Sequence, residues 1–324
     1  MKKTIKTATT ALLIGLSALV NMAHAEWPEK PIKVIVPWPA GGGTDVVARA
    51  VMVPLSEQLK QSIVIENRPG ANGSIGSALG ARATPDGYVL TWVTADTHAM
   101  APHIYPKIGY DPRTDFVAIG MAGYFPYALI VNTSFRASTL TEFVQQNKQR
   151  PGQVTFASWG VGGSSHVAME MFKQQASIQS LHVPYIGAAP AILGVAAGQV
   201  DAMIVPMSVA LPQAEGGRVK ILGLASSKRF SGAPNLKTFA EQGYNVDAGT
   251  WVGLMAPKGT PDDVVRKINQ AMMAALGNPQ FREQLVKINV DPAASNTPAQ
   301  FKVFVASEYD RWGKTISDAN IRME

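Results

Sequence analysis

The chain has 324 residues, with 29 Lys and Arg against 23 Asp and Glu, a formal charge of +6 and no cysteine. That composition excludes disulfides, thiolate metal ligands, cysteine nucleophiles and a lipid attached to an N-terminal cysteine. No basic run or stripe marks a nucleic-acid face, so no nucleic-acid partner is expected.

In chain order, Met1-Lys2-Lys3 is charged, Ala8 to Val20 is apolar, and Ala23-His24-Ala25 is a small-residue cleavage site. Together they read as a secretory signal over residues 1–25, cleaved after Ala25, with a periplasmic destination. Losing Lys2, Lys3 and Lys6 lowers the charge from +6 to +3. About 300 mature residues are many for a single core, so two lobes are expected.

Apolar runs and turn signals then alternate as in α/β folds. Ile32–Val36 reads as a buried strand, followed by a helix whose cap is Thr44 or a neighbour. Further strands are predicted near 63–66, 88–93, 128–131, 154–157, 181–183, 200–205, 219–225 and 250–256. Helices are predicted between them, near 74–83, 140–149, 164–175, 188–197 and 208–215, with three more after 262.

Two glycine-rich strand-to-helix junctions stand out: Pro37-Trp38-Pro39-Ala40-Gly41-Gly42-Gly43-Thr44-Asp45 and Ser158-Trp159-Gly160-Val161-Gly162-Gly163-Ser164-Ser165-His166. Each aims backbone N–H groups and the positive end of a helix dipole at one spot, which suits an anion. Neither spells a P-loop or a dinucleotide fingerprint, and Gly162-Gly163-Ser164-Ser165-His166 lacks the last glycine of a nucleophile elbow. Asp45 reads as structural, since a carboxylate there opposes a second anion. His98, His103, His166 and His182 show no metal-ligand spacing, and neither a metal nor a cofactor is expected. An exported serine esterase, using Ser158, Ser164 or Ser165 with His98 or His166, is the competing class. A sensor that presents its ligand to a membrane kinase is a third.

The chain resembles the extracytoplasmic substrate-binding proteins of tripartite tricarboxylate transporters, the Bug or TctC-like family. The resemblance is carried by WPEKPIKVIVPWPAGGGTDVVAR (27–49), VIENRPGANGSIGS (64–77), PDGYVL (85–90) and THAMAPHIY (97–105). It continues through VTFASWGVGGSSHVAMEMF (154–172), HVPYIGAAPAILGVAAGQVDAM (182–203), APKGTPDDVV (256–265) and RWGKTISDANI (311–321). It implies an α/β two-lobed periplasmic binding protein, a type II-like clamshell with two crossover strands near 116–131 and 247–255. Residues 26–125 with 250–324 would form one lobe and 126–249 the other.

The family implies a monomer that binds a small carboxylic acid and delivers it to membrane transporter components. The first turn would contribute Trp38, Ala40, Gly41, Gly42, Thr44 and Asp45, and the second Ser158, Trp159, Gly162, Ser164 and His166. His98 and Asp201 would lie at the cleft edge. Several of the family's usual polar residues are apolar here: Val161 replaces Asn, Ile186 replaces Lys, and Ile204-Val205 follow the GQVD segment. With Trp38, Trp159, Phe125, Tyr127 and Met207 they suggest a wall for a flat ring, hence an aromatic acid of benzoate or terephthalate type.

Overall fold

The computed structural model describes residues 27–226 and 228–321. The expected signal segment and its cleavage site at Ala25 lie outside the described residues. The strands, in chain order, are β1 (Ile32–Val36), β2 (Ile63–Asn67), β3 (Val89–Thr94), β4 (Phe116–Phe125), β5 (Tyr127–Asn132) and β6 (Thr155–Ser158). They continue as β7 (Leu181–Pro184), β8 (Ala202–Pro206), β9 (Val219–Leu224), β10 (Thr250–Pro257) and β11 (Asp291–Pro292).

These strands form two sheets, ordered β11-β4-β10-β3-β1-β2 and β7-β6-β8-β5-β9. Helices pack on both, giving an α/β molecule of two lobes. The chain crosses between sheets at Pro126, between β4 and β5, and again between β9 and β10. β1 reads Ile-Lys-Val-Ile-Val, and Ile32, Val34 and Val36 are fully buried, the near-continuous apolar habit of a strand in a parallel arrangement. One apolar cluster runs through both sheets, from Val34 and Trp92 to Leu129 and Phe156.

The topology fixes where a ligand can sit. β1 pairs in parallel with β2 on one side and β3 on the other. The chain therefore reverses its direction of travel across the sheet at the end of β1. β6 does the same, pairing in parallel with β7 and β8. In open α/β sheets the crevice beyond the carboxyl end of such a strand is the usual ligand site. Both glycine-rich turns occupy that position, one per sheet.

The crossings are tied to the C-terminal helix. Tyr124 Oη donates to Asp247 Oδ1 at 2.6 Å, and Arg311 Nη1 donates to the Asp247 carbonyl at 2.8 Å. Arg311 also pairs with Glu308 at 2.7 Å, while the indoles of Trp251 and Trp312 both donate to Glu308 Oε2, at 3.2 and 3.1 Å. Glu308 is buried within helix Pro298–Asp318, which opens on a capping box of Thr297 and Gln300.

Replacing Glu308 with Ala leaves two buried indoles without their acceptor and the Arg311 guanidinium without its paired carboxylate. A loss of about 2–4 kcal/mol is expected in urea unfolding followed by tryptophan fluorescence, with a smaller loss for Glu308→Gln. A change under about 1 kcal/mol for Glu308→Ala would show that this knot does not hold the crossings.

Candidate functional site

β1 delivers the chain to the first turn. Ala40, Gly41, Gly42 and Gly43 are exposed, and Trp38 and Thr44 are half-buried. Helix α1 (Gly43–Leu59) is capped by Gly42, not Thr44, and no side chain bonds its first amides. The sequence favours Thr44 as a cap, but Gly42 already has the extended backbone of that position, which puts Thr44 inside the helix. Asp45 is 1% exposed and accepts from Gly41 N at 2.8 Å, Arg49 Nε at 2.9 Å and Asn67 Nδ2 at 2.8 Å. Burial works to raise its pKa, but the bonds from Arg49, Asn67 and Gly41 together hold the carboxyl below its ordinary range. Asp45, which the resemblance counts among the ligand contacts, is here committed to bonds that shape the turn.

The second turn follows β6. Ser158 is fully buried; its Oγ donates to the Gly160 carbonyl at 3.0 Å and lies 2.7 Å from His182 Nε2. His166 Nδ1 accepts from Gly162 N at 3.1 Å, and its ring stacks on His182 with centroids 3.9 Å apart. Ser165 Oγ accepts from Trp159 N at 3.2 Å. Helix α2 (Ser74–Ala81) belongs to the first lobe, α3 is the short helix Ala101–Ile104 and α4 is Leu140–Gln149. Helix α5 (Ser164–Ala176) opens the second site with no side-chain cap. Ser164 Oγ is 2.9 Å from Tyr127 Oη, and the Tyr127 ring meets Trp159 edge to face at 6.0 Å.

The lobes meet around these turns. Ser164 N donates to Asp96 Oδ1 of the other lobe at 3.2 Å. Gly162 has φ of +75°, and a Cβ there would lie 2.6 Å from Ile104 of α3. Only glycine fits that approach. A Cβ on Gly43 would lie 3.6 Å from Ser208 Oγ, a buried hydroxyl with no partner. Ser208 belongs to the helix Met207–Glu215 of the second lobe.

Two sequence-predicted residues fall elsewhere. His98 is fully buried in the first lobe, against Phe116 at 4.7 Å and Tyr110 at 5.8 Å, with Thr97 Oγ1 2.9 Å from Nδ1. It is a core residue because the π-helical turn Asp96–Met100 that carries it is buried throughout. Asp201 accepts from Thr155 N and Oγ1 at 2.8 and 2.9 Å. Thr155 begins β6, so Asp201 sits at the strand end opposite the turn and braces the sheet. Phe125 and Met207 are likewise buried in apolar clusters.

Asp96 was missed by sequence reasoning, although it stands just past a predicted strand end, where both turns also lie. Surface hollows of about 420 and 490 Å³ open elsewhere on the first lobe, and no residue of either turn lines them.

A family model for the tripartite tricarboxylate transporter family receptor matches residues 47–321. The chain belongs to that family. A Pseudomonas relative, the UPF0065 protein in the tcbD-tcbE intergenic region, is 34% identical over 94% of this chain and 91% of its own length. The structure of R. palustris Rpa4515 with adipate is 31% identical with a TM-score of 0.85, covering 92% of this chain and 100% of that one. MatC from Rhodopseudomonas palustris with bound malate is 31% identical with a TM-score of 0.79, over 90% and 100%. These likenesses establish the periplasmic binding protein fold and a receptor of the tripartite tricarboxylate transporter family.

The buried imidazoles make stability depend on pH. Burial lowers His98 to about 3; burial, then His182 and Lys173, lower His166 to about 3; burial, then Lys173, lower His182 to about 4. An unfolded histidine titrates near ~6.5, so below that pH the unfolded chain takes protons the fold refuses. Their contribution is complete above ~6.5 and declines as pH falls toward 4. His103, also lowered by burial, adds to this trend, while Asp96 and Asp291, raised by burial, act in the opposite sense. The melting temperature should therefore drop between pH 7 and 5, with a shallower slope in His98→Gln. A flat profile would show that the rings are not held neutral.

Proposed function

We propose that the protein is a periplasmic receptor that closes on a small aromatic carboxylate, of benzoate or terephthalate type, and delivers it to the membrane components of a tripartite tricarboxylate transporter. The observation that carries this reading is Trp159. It lies inside the second turn, half-buried, with its ring against Tyr127. Val161 beside it is apolar, and Ile186 at the start of the next turn is fully exposed, where a polar group would otherwise reach for a distal oxygen. The adipate and malate of the two Rhodopseudomonas structures support a carboxylic acid as the ligand class.

Residues 27–125 with 250–321 make the first gripping body in this reading, and 126–249 the second. In this reading Trp38, Ala40, Gly41, Gly42, Thr44 and Trp159 face the ligand, while Gly162 and Ser164, buried with their amides on His166 and Asp96, brace the second turn. Asp45, Ser158 and His166 hold the loops in shape. The working form is a monomer that follows a ligand-driven shift from open to closed lobes. No turnover is expected: Ser158 is locked inside its turn, and among the described residues no carboxylate bonds to His182.

A thermal-shift screen tests the ligand class, since a ligand at 100-fold its Kd adds ~2.7 kcal/mol of stability. Benzoate or terephthalate should raise the melting point, and Trp159→Ala should weaken that acid about tenfold or more, a cost of ~1.4 kcal/mol. Stabilisation by citrate or succinate but not by aromatic acids would reject the aromatic reading.

A further inference from the structure

Asp96 is a carboxyl caught between the lobes. It opens the π-helical turn Asp96–Met100 of the first lobe, and its Oδ1 accepts the amide of Ser164, the first residue of α5 in the second lobe, at 3.2 Å. With the lobes together it is 4% exposed.

No cation accompanies it there. From the second lobe α5 brings His166, held neutral by burial, and β5 brings Tyr127. Burial, then the charge of Asp96, keep the phenols of Tyr127 and of Tyr105 beyond α3 protonated. His98 in the same turn and His103 in α3 are lowered by burial. β3, β10 and residues 71–73 carry no titratable side chain. On the helix Pro298–Asp318, Glu308 and Arg311 bond to each other, Tyr309 lies against His103, and Lys302, Asp310, Lys314 and Asp318 are exposed. Among the described residues none of these groups forms an ion pair with Asp96, and burial raises its pKa.

Separating the lobes changes this setting. The Ser164 amide and Tyr127 leave with the second lobe, water replaces them, and a hydrated aspartate titrates near ~3.9. Closing the lobes takes the carboxyl out of water without giving it a counter-charge, which disfavours the ionised form. A ligand carboxylate held between the turns adds a second negative charge beside the start of α5 and acts in the same direction. The neutral acid suits the closed cleft better: it keeps Oδ1 for the Ser164 amide and gains an O–H donor.

We propose that Asp96 couples ligand capture to a proton: it is ionised in the open cleft and takes one proton from solvent as the lobes close on the acid. The inference rests on the carboxylate reading above and adds a pH dependence to it. The bound form then holds more protons than the free one, so affinity rises as pH falls, by up to ~10-fold per pH unit.

Calorimetric titration with benzoate and with adipate, at about pH 6 and about pH 8 where both acids are ionised, tests it. Repeating each titration in buffers of different ionisation enthalpy counts the protons exchanged. The unaltered protein should take up at least about a quarter of a proton per ligand at the lower pH and bind more weakly at the higher. Asp96→Asn keeps an acceptor for Ser164 and cannot ionise; it and the smaller Asp96→Ser should bind without uptake, with the same affinity at both pH values. A smaller uptake by the unaltered protein at both pH values overturns the proposal without recourse to a variant. So does uptake that persists in either variant, or loss of binding in both, since a neutral residue 96 is the form said to close on the ligand. Failure of both acids to bind the unaltered protein at either pH instead overturns the carboxylate reading itself.

Discussion

An α-helix that starts without a capping side chain leaves first-turn amides that must be bonded by something else. This protein places two such helix starts, Gly43 and Ser164, at the ends of parallel-paired strands where the chain order in each mixed sheet switches direction. Most of the surrounding architecture serves that arrangement. Asp45 clamps the first turn to Arg49 and Asn67, while His166 and Ser165 bond the amides of Gly162 and Trp159 in the second. The turns are held rigid by contacts made behind them, so their exposed edge need not rearrange when an anion arrives.

The two turns are built from different materials. The first relies on an ionised carboxylate and a guanidinium at a partly exposed edge. The second relies on neutral groups packed in the interior: two stacked imidazoles, two serine hydroxyls and a tyrosine. Burial keeps both imidazoles uncharged, so the histidines bring no positive charge to the second turn. The protein thus attracts an anion through dipoles and amides, which allow close approach without fixing the ligand's charge on a single side chain.

Much of this was legible in the sequence. β-branched runs such as Ile32–Val36 and the turn glycines carry strong local signals, and the predicted strands differ from those observed by a residue or two at most ends. The collinear motifs pointed to the family, and the family model bears that out over residues 47–321. What escaped was long-range. His98 and Asp201 lie in matching segments, but which face of the sheet a side chain takes depends on the π-helical turn and on strand register. Asp96 escaped for the same reason: its partner, Ser164, is 68 residues away at the start of a helix in the other lobe. The two-residue strand Asp291–Pro292 is too short for any pattern to announce.

The sheet order also dictates when each half can form. In the first sheet β10, residues Thr250–Pro257, lies between β3 and β4, each of which precedes it by more than a third of the chain. The strands of the second sheet, by contrast, fall within one unbroken stretch from Tyr127 to Leu224. During synthesis the middle of the chain can therefore organise while the N-terminal segment still lacks its central strand. The first turn has both neighbours of β1 by residue 94; what waits for the last third of the protein is the strand that joins them to β4.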